Sequence, residues 1–266
     1  QITGSTFYNV LFSKNPGLAV ALISNLRITN NLSIQSGLFN SNNRTIQLEG
    51  DWSNTIGPDS FNESQGRVIF TGIKPQYCST EEFNILEIDK PVQKLYNNPG
   101  AAISCEIYDW TNGGLWIDGT GSFYAADLAD NGIYGSFTLY GNSIELHQDA
   151  AQTTDLVGEL NINNGQFTIS GGLGAGYWGG SGNASMIMTG GVLDITDYGI
   201  NITASYPYNF TGNINGGTIR TQGVFFVNTS GFSPTGGEVE IYGAGNPMVG
   251  TSDGGSLWNL RTSKTS

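Results

Sequence analysis

The sequence predicts an all-β fold, a parallel β-helix (β-solenoid) with about 20–29 residues per coil, from three observations. A short phrase, Gly then any residue, apolar, any, and usually apolar again, recurs as Gly165-Gln166-Phe167-Thr168-Ile169, Gly191-Val192-Leu193-Asp194-Ile195, Gly217-Thr218-Ile219-Arg220-Thr221 and Gly237-Glu238-Val239-Glu240-Ile241. Its glycines fall at positions 165, 191, 217 and 237, so the intervals are 26, 26 and 20, the period of one coil and far less than a domain. Within each phrase apolar and polar residues alternate, the two-residue period of a strand with one buried face. Composition agrees: 39 of 266 residues are Gly, and Val/Ile/Thr/Phe strands are separated by Gly/Asn/Ser clusters without a long helical pattern.

Taken in order, the chain opens with a head, Gln1-Ile2-Thr3-Gly4-Ser5-Thr6-Phe7-Tyr8-Asn9-Val10-Leu11, matched without a gap by Gln76-Tyr77-Cys78-Ser79-Thr80-Glu81-Glu82-Phe83-Asn84-Ile85-Leu86. The offset of 75 from Asn9 to Asn84 equals about three coils. The expected organisation is therefore one solenoid domain over 1–266, with a three-coil superrepeat at 1–75, further coils at 76–255 and the start of a next repeat phase at 256–266. Leu32-Ser33-Ile34, Ile46-Gln47-Leu48 and Ile103-Ser104-Cys105-Glu106-Ile107 are the clearest alternating strands. Asp51-Trp52-Ser53-Asn54 and Asp109-Trp110-Thr111-Asn112 read as related strand-to-turn corners whose Trp rings pack inside.

The head, with Ser36-Gly37-Leu38-Phe39-Asn40 and Gly50-Asp51-Trp52-Ser53-Asn54, resembles the repeat units of large secreted bacterial surface proteins of the adhesin-like, β-helical kind. The resemblance covers roughly the first 120 residues, and beyond them only the coil rhythm carries it. It implies an extracellular or cell-surface location and a role as stalk, coat or adhesive fibre.

Further along, Gly113-Gly114-Leu115-Trp116-Ile117 and Asn142-Ser143-Ile144-Glu145-Leu146 continue the phrase at looser spacing, as expected where loops enter at coil corners. Ala125 to Gly132 is expected to make a short helical turn, and its Asp127, Asp130 and Asn131 lack the spacing of a calcium-binding repeat. Pectin-cleaving β-helix enzymes resemble one another through an Asp cluster with Gly-His-Gly and Arg-x-Lys, or through calcium-binding Asp residues with an Arg base; neither pattern occurs, and no enzyme activity is expected. The one histidine, His147, follows the inward Ile144 and Leu146, points outward and has no Ser or Cys nucleophile beside it in sequence. Gly171-Gly172-Leu173-Gly174-Ala175-Gly176 lacks the Lys and helix of a phosphate loop. Tyr177-Trp178, with Tyr206 and Tyr208 about one coil later, offers either an aromatic shelf for sugar rings or packing against the side of the solenoid.

Charge and cysteines bound the partners. A net charge of −12 with 10 basic residues disfavours nucleic acid and anionic membranes, and no apolar run is long enough to span a bilayer. No basic-then-apolar leader is present, so the sequence reads as a mature chain or a fragment. Of seven Asn-x-Ser/Thr triplets several are expected by chance in this composition, so they do not show a eukaryotic source, and neither a metal nor a cofactor is implied. Cys78 and Cys105, one coil length apart in sequence, are expected on adjacent coils at a separation that permits a disulfide, which would place the chain in an oxidising compartment. Asp194, Arg220 and Glu240 should stack outward as an acid-base-acid surface ladder, with Arg220 keeping both acids ionised. Finally, Leu257-Trp258-Asn259-Leu260 repeats the phase of Phe7-Tyr8-Asn9-Val10. Head-to-tail self-association is therefore expected between a coil bearing Gln1, Ile2, Phe7, Tyr8 and Asn9 and one bearing Leu257, Trp258, Asn259 and Leu260, with glycan binding as the alternative.

Overall fold

The computed structural model describes residues 6–129, 132–133, 136–139, 143–147, 153–175, 183–203 and 209–265. Strand accounts for 62% of the chain, and the described residues contain a 3-10 turn at Pro58–Ser60 but no α-helix. The expected parallel β-solenoid is the observed fold. Among the described residues no helix is long and apolar enough to cross a membrane. Two compact units, Gln1–Ala126 and Asp127–Ser266, are described in turn.

In the first unit every coil contributes parallel strands that stack in register on their counterparts in the next. Thr6–Phe7, Leu26–Ile28, Thr45–Leu48 and Arg67–Phe70 form one face. Val10–Ser13, Leu32–Ser36, Trp52–Asn54 and Gln76–Cys78 form a second, and Ala19–Ala21, Leu38–Asn40 and Phe61–Asn62 a third. Alternation sends one side chain in and the next out, so Leu26, Ile46, Val68, Leu86 and Tyr108 line up as a buried column, with Ile28, Leu48, Phe70 and Ile88 beside it. The 17-residue strand Glu81–Asn97 serves two faces, and its register slips between Ile88 and Lys94, where Pro91 has no N–H to give a ladder.

The second unit carries the glycine phrase. Ser143–Leu146, Gln166–Ile169, Val192–Ile195, Thr218–Thr221, Glu238–Gly243 and Leu260–Lys264 stack as one face, and Ile144, Phe167, Leu193, Ile219 and Val239 form its buried column. The phrase begins with glycine for a steric reason. Gly165, Gly191, Gly217 and Gly237 all have φ between +70° and +81°, and they sit one above another. A Cβ on Gly217 would lie 2.6 Å from the carbonyl oxygen of Gly190, so only glycine lets the coils close to strand spacing there.

Four expectations are corrected by the register. Val10, Leu32, Trp52 and Cys78 share one column, so Cys78, three coils on, is the counterpart of Val10. Asn84, by contrast, precedes Ile85, which lies in the column of Thr45 and Arg67. The match at an offset of 75 therefore joins letters that occupy different places on the coil. For the same reason Trp52 and the strand position of Trp110 are not equivalent, since Trp110 pairs with Ile88. Cys78 and Cys105 are buried free thiols, not a disulfide: Cys78 stacks on Trp52 and Asn97, whereas Cys105 stacks on Phe83. Residues Ser122–Leu128 are strand instead of the expected helical turn, because Phe123, Ala125 and Leu128 face the core; Asp130 and Asn131 lie outside the described residues.

Candidate functional site

Chemistry on a solenoid is carried by its outward columns and by polar groups trapped inside. In the second unit the expected ladder is present and longer than expected. Arg220 meets Asp194 at 3.3 Å and, through Nε, Glu240 at 2.9 Å; Arg261 then meets Glu240 at 3.0 Å and Glu238 at 2.8 Å. The side chains of Asp194 and Glu240 are only 8% and 7% exposed, which corrects their reading as a surface ladder. Tyr242 packs on Asp194 and Arg220. Its hydroxyl donates to Asp194 Oδ1 at 2.7 Å, and its ring lies 4.4 Å from the Arg220 guanidinium. A hydrogen bond from Ser263 and the two flanking guanidiniums hold the Glu240 carboxyl below its ordinary range. An acid held ionised in this way cannot serve as a proton donor near neutral pH.

The neighbouring column gives the histidine a partner from the next coil. Coil stacking brings Ser170 Oγ to 3.0 Å from His147 Nδ1, and Glu145 Oε2 lies 3.7 Å from Nε2. A nucleophile-type hydroxyl, an imidazole and a carboxylate thus stand together, although Ser170 and His147 lie a full coil apart in sequence. The donor that would receive an oxyanion is committed elsewhere: the Gly171 N–H beside Ser170 donates to Asp197 Oδ2 at 3.1 Å.

Inside the first unit lie two charged-type side chains that sequence reasoning missed. Glu81 is 1% exposed; its Oε2 accepts from Trp52 Nε1 at 2.7 Å and from Asn54 Nδ2 at 2.8 Å, and its Oε1 from the Glu82 N–H at 3.2 Å. Burial, opposed by these donors, pushes its carboxyl up to about 7. The Asn54 carbonyl oxygen in turn accepts from Ser60 Oγ at 2.9 Å, tying down the turn whose Ile56, Asp59 and Ser60 wall a cleft of about 360 Å³. Lys90, fully buried, donates to Gln76 Oε1 and to the carbonyl oxygens of Thr71, Gly72 and Lys74 at 2.5–3.4 Å. Burial draws it down to about 8, but four oxygen acceptors suit an ammonium, and its role is to hold the 71–76 corner.

The outward corner column of the first unit has a different character. Asn9 Oδ1 accepts the Asn31 N–H at 3.1 Å, Asn31 Oδ1 the Asp51 N–H at 2.9 Å, and Asp51 Oδ1 the Tyr77 N–H at 2.8 Å. Tyr77 then packs against Tyr96 at 5.4 Å between ring centres with a tilt of 31°, and Tyr96 against Trp116 at 5.8 Å with a tilt of 36°, with Lys94 Nζ 5.3 Å from the Trp116 ring.

Of the residues singled out for self-association, Phe7 and Tyr8 are exposed on one coil and Trp258 and Leu260 on another, whereas Gln1 and Ile2 lie outside the described residues. Asn9 belongs to the corner column, and Asn259 Nδ2 donates to the Gly237 carbonyl at 3.1 Å. The proposed sugar shelf, Tyr177, Trp178, Tyr206 and Tyr208, lies wholly outside the described residues. Among the described residues no group of three or more His, Cys, Asp or Glu is placed to hold a metal ion.

The chain matches no known family, no curated protein and no solved structure. Its functional reading therefore rests on its own geometry.

Proposed function

We propose that this chain is a structural, non-enzymatic solenoid segment of an extracellular or cell-surface protein, extended end to end by further coils. One observation carries the reading. Leu260 continues the inward column above Val239, yet is 51% exposed, and all five residues of Leu260–Lys264 are exposed while the strand pairs with Glu238–Gly243. Phe7, in the inward column of Ile28, is likewise 38% exposed on the coil of Thr6–Phe7. A coil with apolar side chains and strand edges on display is completed by another coil laid upon it, from the same polypeptide or from a second copy. Because the two thiols are free, the extracellular location now rests on the resemblance of the repeat phrases and not on a disulfide.

Light scattering over a wide concentration range tests joining between copies. Mass should grow with concentration, and Leu260→Asp should return the chain to monomer; a wild-type chain that stays monomeric at high concentration would reject joining between separate chains.

A further inference from the structure

We propose that the corner column Asn9, Asn31, Asp51 and Tyr77 is a binding step for a neutral, extended oligosaccharide, with Tyr77 as the ring on which one sugar stacks. The inference goes beyond the structural role above and does not depend on assembly. Its basis is a change of side-chain length along the column. Asn9, Asn31 and Asp51 are short, and each turns one oxygen back to the N–H of the next coil. Tyr77, next in line, is 44% exposed and reaches several ångströms further from the backbone. One face of its ring is backed by Tyr96, itself backed by Trp116. The opposite face is then the one available to a sugar, and with the short side chains before it in the column it would make a ledge with an apolar ceiling and a polar wall.

The polar wall has hydrogen-bonding capacity left. Nδ2 of Asn9, Nδ2 of Asn31 and Oδ2 of Asp51 make no hydrogen bond to the described residues, so the wall offers two amide donors and one carboxylate acceptor. They recur at the coil spacing of ~4.8 Å, comparable with the advance of one sugar in an extended β-linked chain. A pyranose presents C–H groups on its faces and hydroxyls on its rim, which suits an aromatic ceiling with donors and acceptors beside it. Charge narrows the class: Asp51 and a net charge of −12 disfavour anionic polysaccharides. The rings at Tyr96 and Trp116 do not extend the ledge, since stacking turns their faces toward their neighbours.

The test titrates the intact chain with cellohexaose, xylohexaose, mannohexaose and chitohexaose, following heat and aromatic fluorescence, with an oligogalacturonate as the anionic control. At least one neutral hexasaccharide should bind. Tyr77→Ala should weaken it about tenfold while Tyr77→Phe stays within about twofold, because stacking needs the ring and not the hydroxyl. In the unmutated chain, saturating tyrosine ring protons by NMR should transfer magnetisation to the sugar C–H groups, a readout that does not require Tyr77→Ala to fold. Silence with all four neutral sugars, unchanged affinity in a folded Tyr77→Ala chain, tighter binding of the oligogalacturonate, or no transfer from tyrosine would each overturn the proposal.

Discussion

Glu81 and Glu240 show how the same residue type acquires opposite pH behaviour from its surroundings. Glu81, raised mainly by burial to about 7, binds its proton more tightly folded than unfolded. Its contribution therefore favours the folded unit at low pH and declines as pH rises from the ordinary carboxylate value of 4.5 through about 7. A shift of that size corresponds to about 3 kcal/mol, the balance left after the Asn54 and Trp52 donors have offset part of the cost of burial. Glu63 raises it further, and the thiol of Cys78, itself pushed up by burial, stays neutral. Glu81→Gln should stabilise the chain in denaturant at pH 8, change it little at pH 5, and flatten the profile between. Glu240, lowered by Ser263 and its arginines, contributes stability above 4.5 that is lost as pH falls through its depressed value.

Residues of this kind were not legible in the sequence. Trp52 and Asn54 lie more than a coil before Glu81, and nothing in a linear reading says that a Glu following Cys78-Ser79-Thr80 turns inward. The His147–Ser170 contact was within reach: its separation of 23 equals the interval from Asn142 to Gly165, so applying the coil rhythm to polar residues would have paired them. Geometry resembling a catalytic pair is not sufficient for catalysis when the adjacent N–H is occupied. A fluorophosphonate probe is accordingly expected to leave Ser170 unlabelled, and stoichiometric labelling abolished by His147→Ala would overturn the non-enzymatic reading.

At the scale of the strand, the glycine phrase was the readable element, and its physics explains why. Gly165, Gly191, Gly217 and Gly237 need positive φ, and the last three also need bare Cα atoms, so their identity is fixed by local sterics, and the alternating residues after each are fixed by the core. Gly217→Ala should cost about 2–4 kcal/mol, combining left-handed strain with the clash on Gly190, whereas Thr218→Ala beside it, half-buried and outward, should cost under about 1 kcal/mol. Thermal unfolding of the two variants compares them directly. In the first unit the phrase, as in Gly113-Gly114-Leu115-Trp116-Ile117, does not recur at near-constant spacing. Along its column Val10, Leu32, Trp52 and Cys78 the coils differ in length, and that irregularity let a chance match between the two heads stand in for the register.

At the scale of the whole molecule, each unit gains its stability from neighbour-to-neighbour contacts between coils, so whatever covers an exposed coil stabilises its unit. Where assembly occurs, the midpoint of thermal unfolding should rise with protein concentration, and Leu260→Asp should remove that dependence without lowering the unfolding free energy of the dilute chain by more than about 1 kcal/mol, because Leu260 is half exposed in the single chain.

The direction of the hydrogen bonds has a mechanical consequence. Between coils they run along the stacking axis, so a pull along that axis loads all the bonds of one coil interface in parallel and the successive interfaces in series. Strength is then that of the weakest interface. In the second unit Asn183–Met188, Val192–Ile195 and Gly199–Thr203 are each matched along a full strand by Asn209–Ile214, Thr218–Thr221 and Val224–Asn228. One step later the described residues show two full strand pairs, while the third face is reduced to a single bridge between Gly212 and Phe232. That interface is held by fewer bonds than the one before it and yields to a smaller pull, as a seam with fewer stitches opens before the cloth tears.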